Sequence, residues 1–149
     1  LRNNGGGLVE AAVSICSHFI PGGKTIVTIK EKNKEDVKTS EGLSPVNKPV
    51  VILVNAYTAS ASEITSGALQ DYGIARLVGK NTFGKGCVQS ITDLKSEGAV
   101  KITIANYFTP KGRAIHHIGL KPDVTVEMEE SLAGRNNDVQ LKKAIEMLK

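Results

Sequence analysis

The sequence predicts a single α/β domain, because helical and strand-like patterns alternate along it and one of the strands is apolar throughout. Its 149 residues and 40% apolar content suit one domain with a sizeable core. The first helical pattern is "GLVEAAVSICSHFI", which directly follows a run of three glycines. It has apolar residues at helical spacing, namely Leu8, Ala11, Ala12, Ile15 and Phe19.

The next elements follow in chain order. "KTIVTIKEK" alternates apolar and polar residues and predicts a half-buried strand, with a charged loop from about Asn33 to Asn47 after it. "PVVILVN" is a continuous apolar run of the kind buried on both faces of a parallel sheet, so we expect a central strand. Ser60 through Tyr72 predicts a helix that Gly73 stops.

The second half of the chain is richer in strands. "ARLVG" predicts a short strand, and "VQSITDL" and "AVKITIANYFTP" predict a pair around the turn at Glu97 and Gly98. "PDVTVEM" predicts a final strand. The last helix is predicted from near Asn137, carrying Leu141, Ala144, Ile145 and Leu148. The prediction is therefore an α/β fold with some antiparallel pairing near its end.

Composition argues against several classes of function. The net charge of +4 comes from interleaved charges rather than one basic stripe, and aromatic residues make up only 4%, so we expect no nucleic-acid partner. Cys16 and Cys87 are too few for a disulfide scaffold, and we expect each to be a small buried apolar residue. We expect no metal and no cofactor.

Targeting features are equally sparse. No apolar run approaches the ~18 residues of a membrane span, so we expect the chain itself to be soluble. It begins at Leu1 without a methionine, directly on the glycine run. We therefore expect it to be a piece of a longer protein, with a glycine run that frays because nothing precedes it.

Ser60 stands at the start of the predicted second helix, and its position has two interpretations. Ser60-Ala-Ser-Glu63 matches a capping box, in which the serine oxygen accepts from a helix N–H and the glutamate accepts in return. A serine at a strand-to-helix turn also exposes its hydroxyl beside the positive helix end, where an oxyanion is stabilised. Such a nucleophile needs a base.

The base would be a histidine or a lysine. Of the three histidines, His18, His116 and His117, the adjacent pair would point to opposite faces of a strand and so would not bind one metal together. Lys85, in "NTFGKGCVQ", is the other candidate, although a lysine in a glycine turn is ordinarily just solvated.

A different interpretation of the same region is a nucleotide-binding module. Gly79–Gly86, "GKNTFGKG", nearly fits the phosphate-loop pattern. Gly86 stands where that pattern needs a hydroxyl for Mg²⁺, and a strand rather than a helix is predicted after it. We regard this interpretation as weak.

Four segments in order carry a family resemblance: "LRNNGGG", "NAYTASASEITSGALQD", "GKNTFGKGCVQ" and "FTPKGRAIHHIGLKPDV". Together they closely resemble the carboxy-terminal processing (tail-specific) proteases, a serine–lysine peptidase family, over almost the whole chain. Gly5 replaces the usual proline and Thr58 the first serine, and neither change removes a reactive group. The resemblance implies a crotonase-like (ClpP/crotonase-type) α/β core with helices on a mixed sheet. Residues 1–149 would be the C-terminal part of that core, without the family's PDZ domain.

The resemblance also assigns roles. Ser60 becomes the nucleophile of a serine endopeptidase, Lys85 its general base, and Gln89 the residue that orients the lysine. The backbone N–H groups of Gly6 and Ala61 become the oxyanion hole. Ser62 is the rival nucleophile, and Ser60 is favoured by family position and because Ser62 should lie inside the first helical turn.

The implied reaction is amide hydrolysis through an acyl-enzyme. Lysine accepts a proton only when neutral, and we expect burial of Lys85 among "TFG", Cys87 and Val88 to favour that form. The implied substrate is a protein with an apolar, unstructured C-terminus, cleaved near that end outside the cytoplasm or at its membrane. A homo-oligomer is compatible with these features. A noncatalytic crotonase-like assembly module and an acyl-thioester enzyme on the same fold are two competing hypotheses.

Overall fold

The computed structural model describes residues 1–43, 46–94 and 97–149, and it contains both helices and strands as the sequence predicts. The helices are α1 (Val9–Ser17), α2 (Ala61–Asp71) and α3 (Val139–Met147). The strands are β1 (Thr25–Glu31), β2 (Glu35–Thr39), β3 (Val50–Val54), β4 (Ala75–Gly79), β5 (Cys87–Asp93), β6 (Ala99–Phe108) and β7 (Val124–Thr125). A short 3₁₀ helix spans Glu130–Leu132.

The described strands form two sheets, each with a single kind of pairing, where the sequence predicted one mixed sheet. A four-stranded antiparallel sheet has the order β2-β1-β6-β5, and a three-stranded parallel sheet has the order β3-β4-β7. The antiparallel pairing of β5 with β6 confirms the predicted late hairpin. The fold is α/β with helices packed against both sheets.

The position of β3 differs from its prediction. β3 pairs with β4 in parallel, as expected, but it lies at the edge of the described sheet and β4 lies in the middle. Helix α3 packs against both strands, and Ile52 and Val54 of β3 are buried. The continuous apolar run of β3 is therefore explained by burial against neighbouring elements such as α3, and not by a central position in the sheet.

Strand β2 lies where the sequence predicted only a charged loop, so that prediction was wrong. Its charges belong to an edge strand: Lys30 of β1 forms an ion pair with Glu35 across the ladder, with 3.1 Å between Nζ and Oε2. Charged side chains are typical of exposed sheet edges, where they discourage pairing with other chains. Ser44 and Pro45, in the rest of the predicted loop, lie outside the described residues.

Helix α2 is the centre of the molecule and positions the site. It contacts α1, β4 and β1, and every one of its residues except Gln70 is buried. Its many small side chains, in "ASEITSGALQD", allow neighbours to approach closely. The helix begins after Ser60, and Gly73 follows its end with a φ of +68°, as the sequence predicted.

The two outer helices expose several of the apolar residues that the sequence pattern singled out. In α1 the buried residues are Ala12, Val13, Cys16 and Ser17. Leu8 and Ile15, expected on the buried face, are 72% and 51% exposed. At α3, Ala144 is buried, but Leu141, Ile145 and Leu148 are exposed. In α1 the buried positions hold Ala12, Val13, Cys16 and Ser17, and in α3 they hold Gln140 and Ala144, so the larger apolar side chains of both helices stay at the surface.

Both cysteines are free and buried, as predicted. Burial raises the pKa of the Cys16 thiol to about 12, so it stays protonated. Within residues 1–43, 46–94 and 97–149, no helix has the length and apolar character needed to cross a membrane.

Candidate active site

Ser60 sits at a strained turn between the end of β3 and the start of α2. Its φ is 57° and its ψ is −123°, a backbone conformation that non-glycine residues rarely adopt. Such strain persists only where surrounding bonds impose it, and it concentrates at functional sites. Sharp strand-to-helix turns of this kind expose a serine hydroxyl in nucleophilic enzymes.

The capping-box pairing predicted for Ser60 and Glu63 is present, and its well-formed hydrogen bonds run through the two backbones rather than through the serine hydroxyl. The Ser60 N–H donates to the Glu63 carboxylate, with 2.9 Å between nitrogen and Oε2. The Glu63 N–H donates to the backbone carbonyl of Ser60 at 2.8 Å. The Ser60 hydroxyl is therefore not needed as a hydrogen-bond acceptor for the start of α2.

Glu63 joins the two halves of the candidate site, a role that the sequence analysis missed. Its side chain is fully buried and accepts four hydrogen bonds. Oε2 accepts from the N–H groups of Ser60 and Lys85, at 2.9 and 2.8 Å. Oε1 accepts from the Gly84 N–H at 2.8 Å and from the Thr82 hydroxyl. One carboxylate thus fixes the Ser60 turn to the backbone of Lys85. The glutamate three residues after Ser60 was the available signal.

We expect Glu63→Gln to destabilise the fold, because an amide cannot accept all four of these bonds. Its NH₂ group would face N–H or O–H donors and leave about two of them buried without a partner. The free energy of unfolding should fall by about 3 kcal/mol. Urea denaturation measures it, with Glu10→Gln on the exposed side of α1 as the matched control. A loss below about 0.5 kcal/mol, the size of an ordinary surface change, would contradict this role.

Ser62, the rival nucleophile, is placed differently. It lies within the first turn of α2 and is only 5% exposed. Its hydroxyl donates to Asn4 Oδ1 at 2.9 Å. This bond ties α2 to the glycine loop (residues 1–7), so the Ser62 hydroxyl already has a structural role.

The lysine loop (residues 80–86) is clamped between the Ser60 turn and a second loop. The Phe83 N–H donates to the Thr58 carbonyl at 2.9 Å, and the His117 N–H donates to the Gly84 carbonyl at 2.9 Å. A Cβ on Gly86 would lie 2.4 Å from the His116 nitrogen, so only glycine permits this approach. The glycines around Lys85 are packing residues as well as turn residues.

Lys85 itself is exposed, so the predicted burial among "TFG", Cys87 and Val88 is wrong. Its side chain lines an open cleft of about 550 Å³ together with Gln89, so the two residues share a surface. Among the described residues, Ser60 and Lys85 make no side-chain hydrogen bond to each other. Catalytic hydrogen bonds are often long before substrate binds.

His116 and His117 also line that cleft, contrary to the prediction that they point to opposite faces of a strand. They lie in a turn, His117 has a φ of +62°, and their ring centroids are 3.9 Å apart. In the part of the chain that the structure describes, no group of three or more His, Cys, Asp or Glu residues is arranged to hold a metal ion.

The two predicted oxyanion donors lie beside the Ser60 turn. Gly6 has a φ of +91°, and a Cβ there would lie 2.7 Å from the Ala61 nitrogen, so the glycine loop abuts the turn. Ala61 is the first residue of α2, where N–H groups lack partners within the helix. The Gly6 N–H, in contrast, donates to Asn4 Oδ1 at 2.9 Å.

An apolar cavity of about 220 Å³ opens next to these donors, between α1 and α2. Its lining explains the exposed face of α1, since Leu8, Ala11 and Ile15 all belong to it. Gly6, Ala61 and Ser62 form its other side. Ala61 directly follows Ser60, so the cavity opens beside the Ser60 turn.

Comparison with known proteins identifies the family of the chain. A family model described as "Peptidase family S41" matches residues 1–126. The carboxyl-terminal-processing protease of Synechocystis sp. is 42% identical over 127 residues, which are 85% of this chain and 30% of that protein. A probable CtpA-like serine protease of Staphylococcus aureus is 45% identical over 130 residues, 85% of this chain and 26% of that protein.

Solved structures agree as well. The photosystem II D1 C-terminal processing protease matches 85% of this chain and 33% of its own, with a TM-score of 0.76 and 41% identity. A putative peptidase from Parabacteroides merdae, 19% identical, has a TM-score of 0.82 over 99% of this chain and 50% of its own, a likeness of fold alone. The chain spans between 26% and 36% of the curated relatives it matches. Since the family model matches 126 of the 149 residues, the chain belongs to peptidase family S41.

Proposed function

We propose that this chain carries the catalytic core of a carboxyl-terminal-processing serine protease with Ser60 as the nucleophile. The observation that carries the proposal is the Glu63 carboxylate, which binds the backbone of Ser60 and the backbone of Lys85 at once. Ser60 is held in a strained turn with its hydroxyl free of the helix cap. A nucleophile and a base on two rigidly joined turns are what acyl transfer requires.

In the proposed reaction the Lys85 amine removes the Ser60 hydroxyl proton as the serine oxygen attacks the peptide carbonyl. The tetrahedral intermediate collapses to an acyl-enzyme, and Lys85 gives its proton to the leaving amine. A water molecule then attacks the ester, with Lys85 again taking and returning a proton. The products are the shortened protein and its C-terminal fragment, and the enzyme is regenerated.

The proposed oxyanion hole needs one rearrangement. Ala61 offers an N–H at the positive end of α2, beside the carbon that Ser60 would attack. Gly6 can add a second donor once its bond to Asn4 opens. The Asn4 side chain would keep the hydroxyl of Ser62 as its partner.

Lys85 must also turn toward Ser60. Its backbone is fixed by Glu63, whereas its side chain extends into an open cleft and has several rotatable bonds. Gln89 lines the same cleft, which supports a role in orienting the amine. We infer that substrate closes this cleft and excludes water from the lysine.

The substrate side chain next to the cleaved bond would occupy the apolar cavity. The cavity is lined mainly by aliphatic groups and lies against Gly6 and Ala61. This supports a protein substrate with an apolar C-terminal region. The preference is set by α1 as much as by the catalytic loops, because Leu8, Ala11 and Ile15 form one wall.

Ala11→Phe should narrow this cavity and change the preference. We expect kcat/KM for peptides with a large apolar residue at the cleavage site to fall about 10-fold or more, because even one methylene in such a pocket changes discrimination severalfold. Peptides with alanine there should be affected less. A peptide series measures it, with Ser14→Phe on the exposed side of α1 as the control. An equal loss of kcat/KM for all peptides would show that this cavity does not set the preference for the residue at the cleavage site.

The family resemblance supports four wider proposals. The core is crotonase-like, and the protein carries a PDZ domain that delivers the substrate's C-terminus by adding it as a strand to a sheet edge. It acts outside the cytoplasm or at its membrane, and it forms a homo-oligomer. The relatives' greater length leaves room for such a domain.

The competing hypotheses make different predictions. A nucleotide-binding module is not favoured, because β5 follows Gly79–Gly86 where a phosphate loop leads into a helix. A noncatalytic module would form no covalent intermediate. Acid quenching during turnover of a peptide, followed by mass spectrometry, should find the N-terminal fragment esterified to Ser60. Cleavage that persists in Ser60→Ala with no such adduct would overturn the proposed function.

A further inference from the structure

Residues after position 126, which lie outside the family match, form hydrogen bonds to the glycine loop. Arg2 lies in that loop, and its guanidinium donates to both carboxylate oxygens of Asp138, at 2.9 and 2.6 Å. Arg2 also donates to the Gln140 side-chain oxygen at 3.0 Å. The Arg2 and Asp138 side chains are 12% and 1% exposed, so this pair is shielded from water. The contact joins residues 136 positions apart.

The acceptors for Arg2 are held in place independently of it. Asp138 caps helix α3, accepting from the Leu141 N–H at 2.8 Å, and it also accepts from the Gly134 N–H at 2.7 Å. The Gln140 amide donates to the Val126 carbonyl at 2.8 Å. The Arg2 guanidinium and the two N–H groups hold the pKa of Asp138 well below its usual range against the opposing effect of burial. Asp138 and Gln140 therefore form a preorganised anionic binding site for the Arg2 guanidinium.

A second contact repeats this connection. The buried Asn55 side chain donates to Asn3 Oδ1 at 2.8 Å and also donates to the Glu130 carboxylate. The Asn3 N–H donates back to Asn55 Oδ1 at 3.0 Å. Glu130 belongs to the 3₁₀ helix that precedes α3. Two consecutive residues of the glycine loop are thus tied to the segment after residue 126.

Gly5 and Gly7, on either side of Gly6, have little packing support of their own. A Cβ on Gly5 or Gly7 would meet no atom within 4 Å outside its chain neighbours. Gly6 itself abuts the Ser60 turn, since a Cβ there would lie 2.6 Å from the Ala59 carbonyl oxygen. The rest of its support comes through Arg2, Asn3 and Asn4, of which Asn4 accepts from the Ala59 N–H at 3.0 Å. The expectation that this loop frays as a chain terminus is thus contradicted by the ties at its base.

We propose that α3 positions the oxyanion loop of this enzyme, with Asp138 and Gln140 as positioning residues that act through Arg2. The proposal rests on the function proposed above, since it assigns Gly6 a role in binding the oxyanion. It predicts that weakening the binding site for the Arg2 guanidinium reduces stabilisation of the transition state, so that kcat falls. Substrate binding should stay nearly unchanged.

The test compares kinetics of Asp138→Asn and Gln140→Met in the intact enzyme. Asparagine still caps a helix but loses the charge, and methionine keeps the volume of glutamine but loses the acceptor. We expect kcat to fall about 10- to 100-fold with KM within about twofold, less than the loss of a whole oxyanion donor. Asp138→Glu should restore part of the rate. Glu146→Gln, which breaks an exposed ion pair with Lys143 on the same helix, should change neither constant.

A peptide aldehyde separates positioning from stability. It adds reversibly to the Ser60 hydroxyl and places the resulting oxyanion at the donors, whereas the corresponding peptide alcohol does not. In both variants the inhibition constant of the aldehyde should rise by about the same factor by which kcat falls. The inhibition constant of the alcohol should stay unchanged. If both variants lower only the Tm, and kcat and aldehyde binding at a temperature well below it stay as in the wild type, the proposal is wrong. Wild-type activity in Ser60→Ala would instead overturn the proposed function.

Discussion

Replacing Ser60 by alanine is expected to abolish peptide cleavage by the intact enzyme, lowering kcat/KM by at least about 10⁴-fold. The change removes the attacking oxygen but leaves the backbone of the turn in place. The N–H of residue 60 can still donate to Glu63, which fixes the lysine loop. We therefore expect the Tm to stay within a few degrees of the wild type.

Ser62→Ala is the matched control for this prediction. It deletes a hydroxyl two residues away that donates to Asn4. The cost should be about 1 kcal/mol of stability, the usual worth of one hydrogen bond, with cleavage retained. Full activity in Ser60→Ala together with an inactive Ser62→Ala would make Ser62 the nucleophile.

Lys85→Ala should be as damaging as Ser60→Ala, and the double variant should be no worse than either. The serine and the lysine act as one catalytic unit, so removing either one already removes the contribution of both. The two losses of kcat/KM are therefore not additive. Lys80→Ala is the matched control, because Lys80 lies in the same loop and pairs with the exposed Glu127. Its effect on kcat/KM should be within about twofold, as expected for a surface ion pair.

The outcome for Lys85 also decides between bases. His116 and His117 line the same cleft, so either imidazole is within the region that a substrate would enter. If Lys85→Ala keeps more than about 10% of the wild-type rate while alanine at a histidine abolishes it, the base is a histidine and the serine–lysine assignment fails. Single-turnover rates measured across pH distinguish these cases, since they report chemistry directly.

The site could be predicted from sequence as far as its parts are local. The bounds of α2 and the turn at Ser60 follow from the residues around them, because capping and glycine stops act over a few positions. The hairpin of β5 and β6 follows from alternating patterns on either side of a turn. Short-range rules sufficed for these elements.

Other features depend on partners distant in the chain. Glu63 signals a capping residue locally, and its bonds to Gly84 and Lys85 arise only when two loops meet. The exposure of Ile15 follows from the shape of α2, against which the small residues of α1 pack. The turn at His116 is imposed by close packing on Gly86. None of these leaves a periodic pattern in the sequence.

The bond from Arg2 to Asp138 has a consequence for how the enzyme is made. A contact spanning 136 residues closes a loop of nearly the whole chain, and such contacts form late because their entropic cost comes before their reward. During synthesis the glycine loop leaves the ribosome long before α3 does. We expect the nascent chain to expose its serine turn without a positioned oxyanion loop. If α3 positions the oxyanion loop as proposed, we expect proteolytic competence to arise only after α3 has docked on the glycine loop.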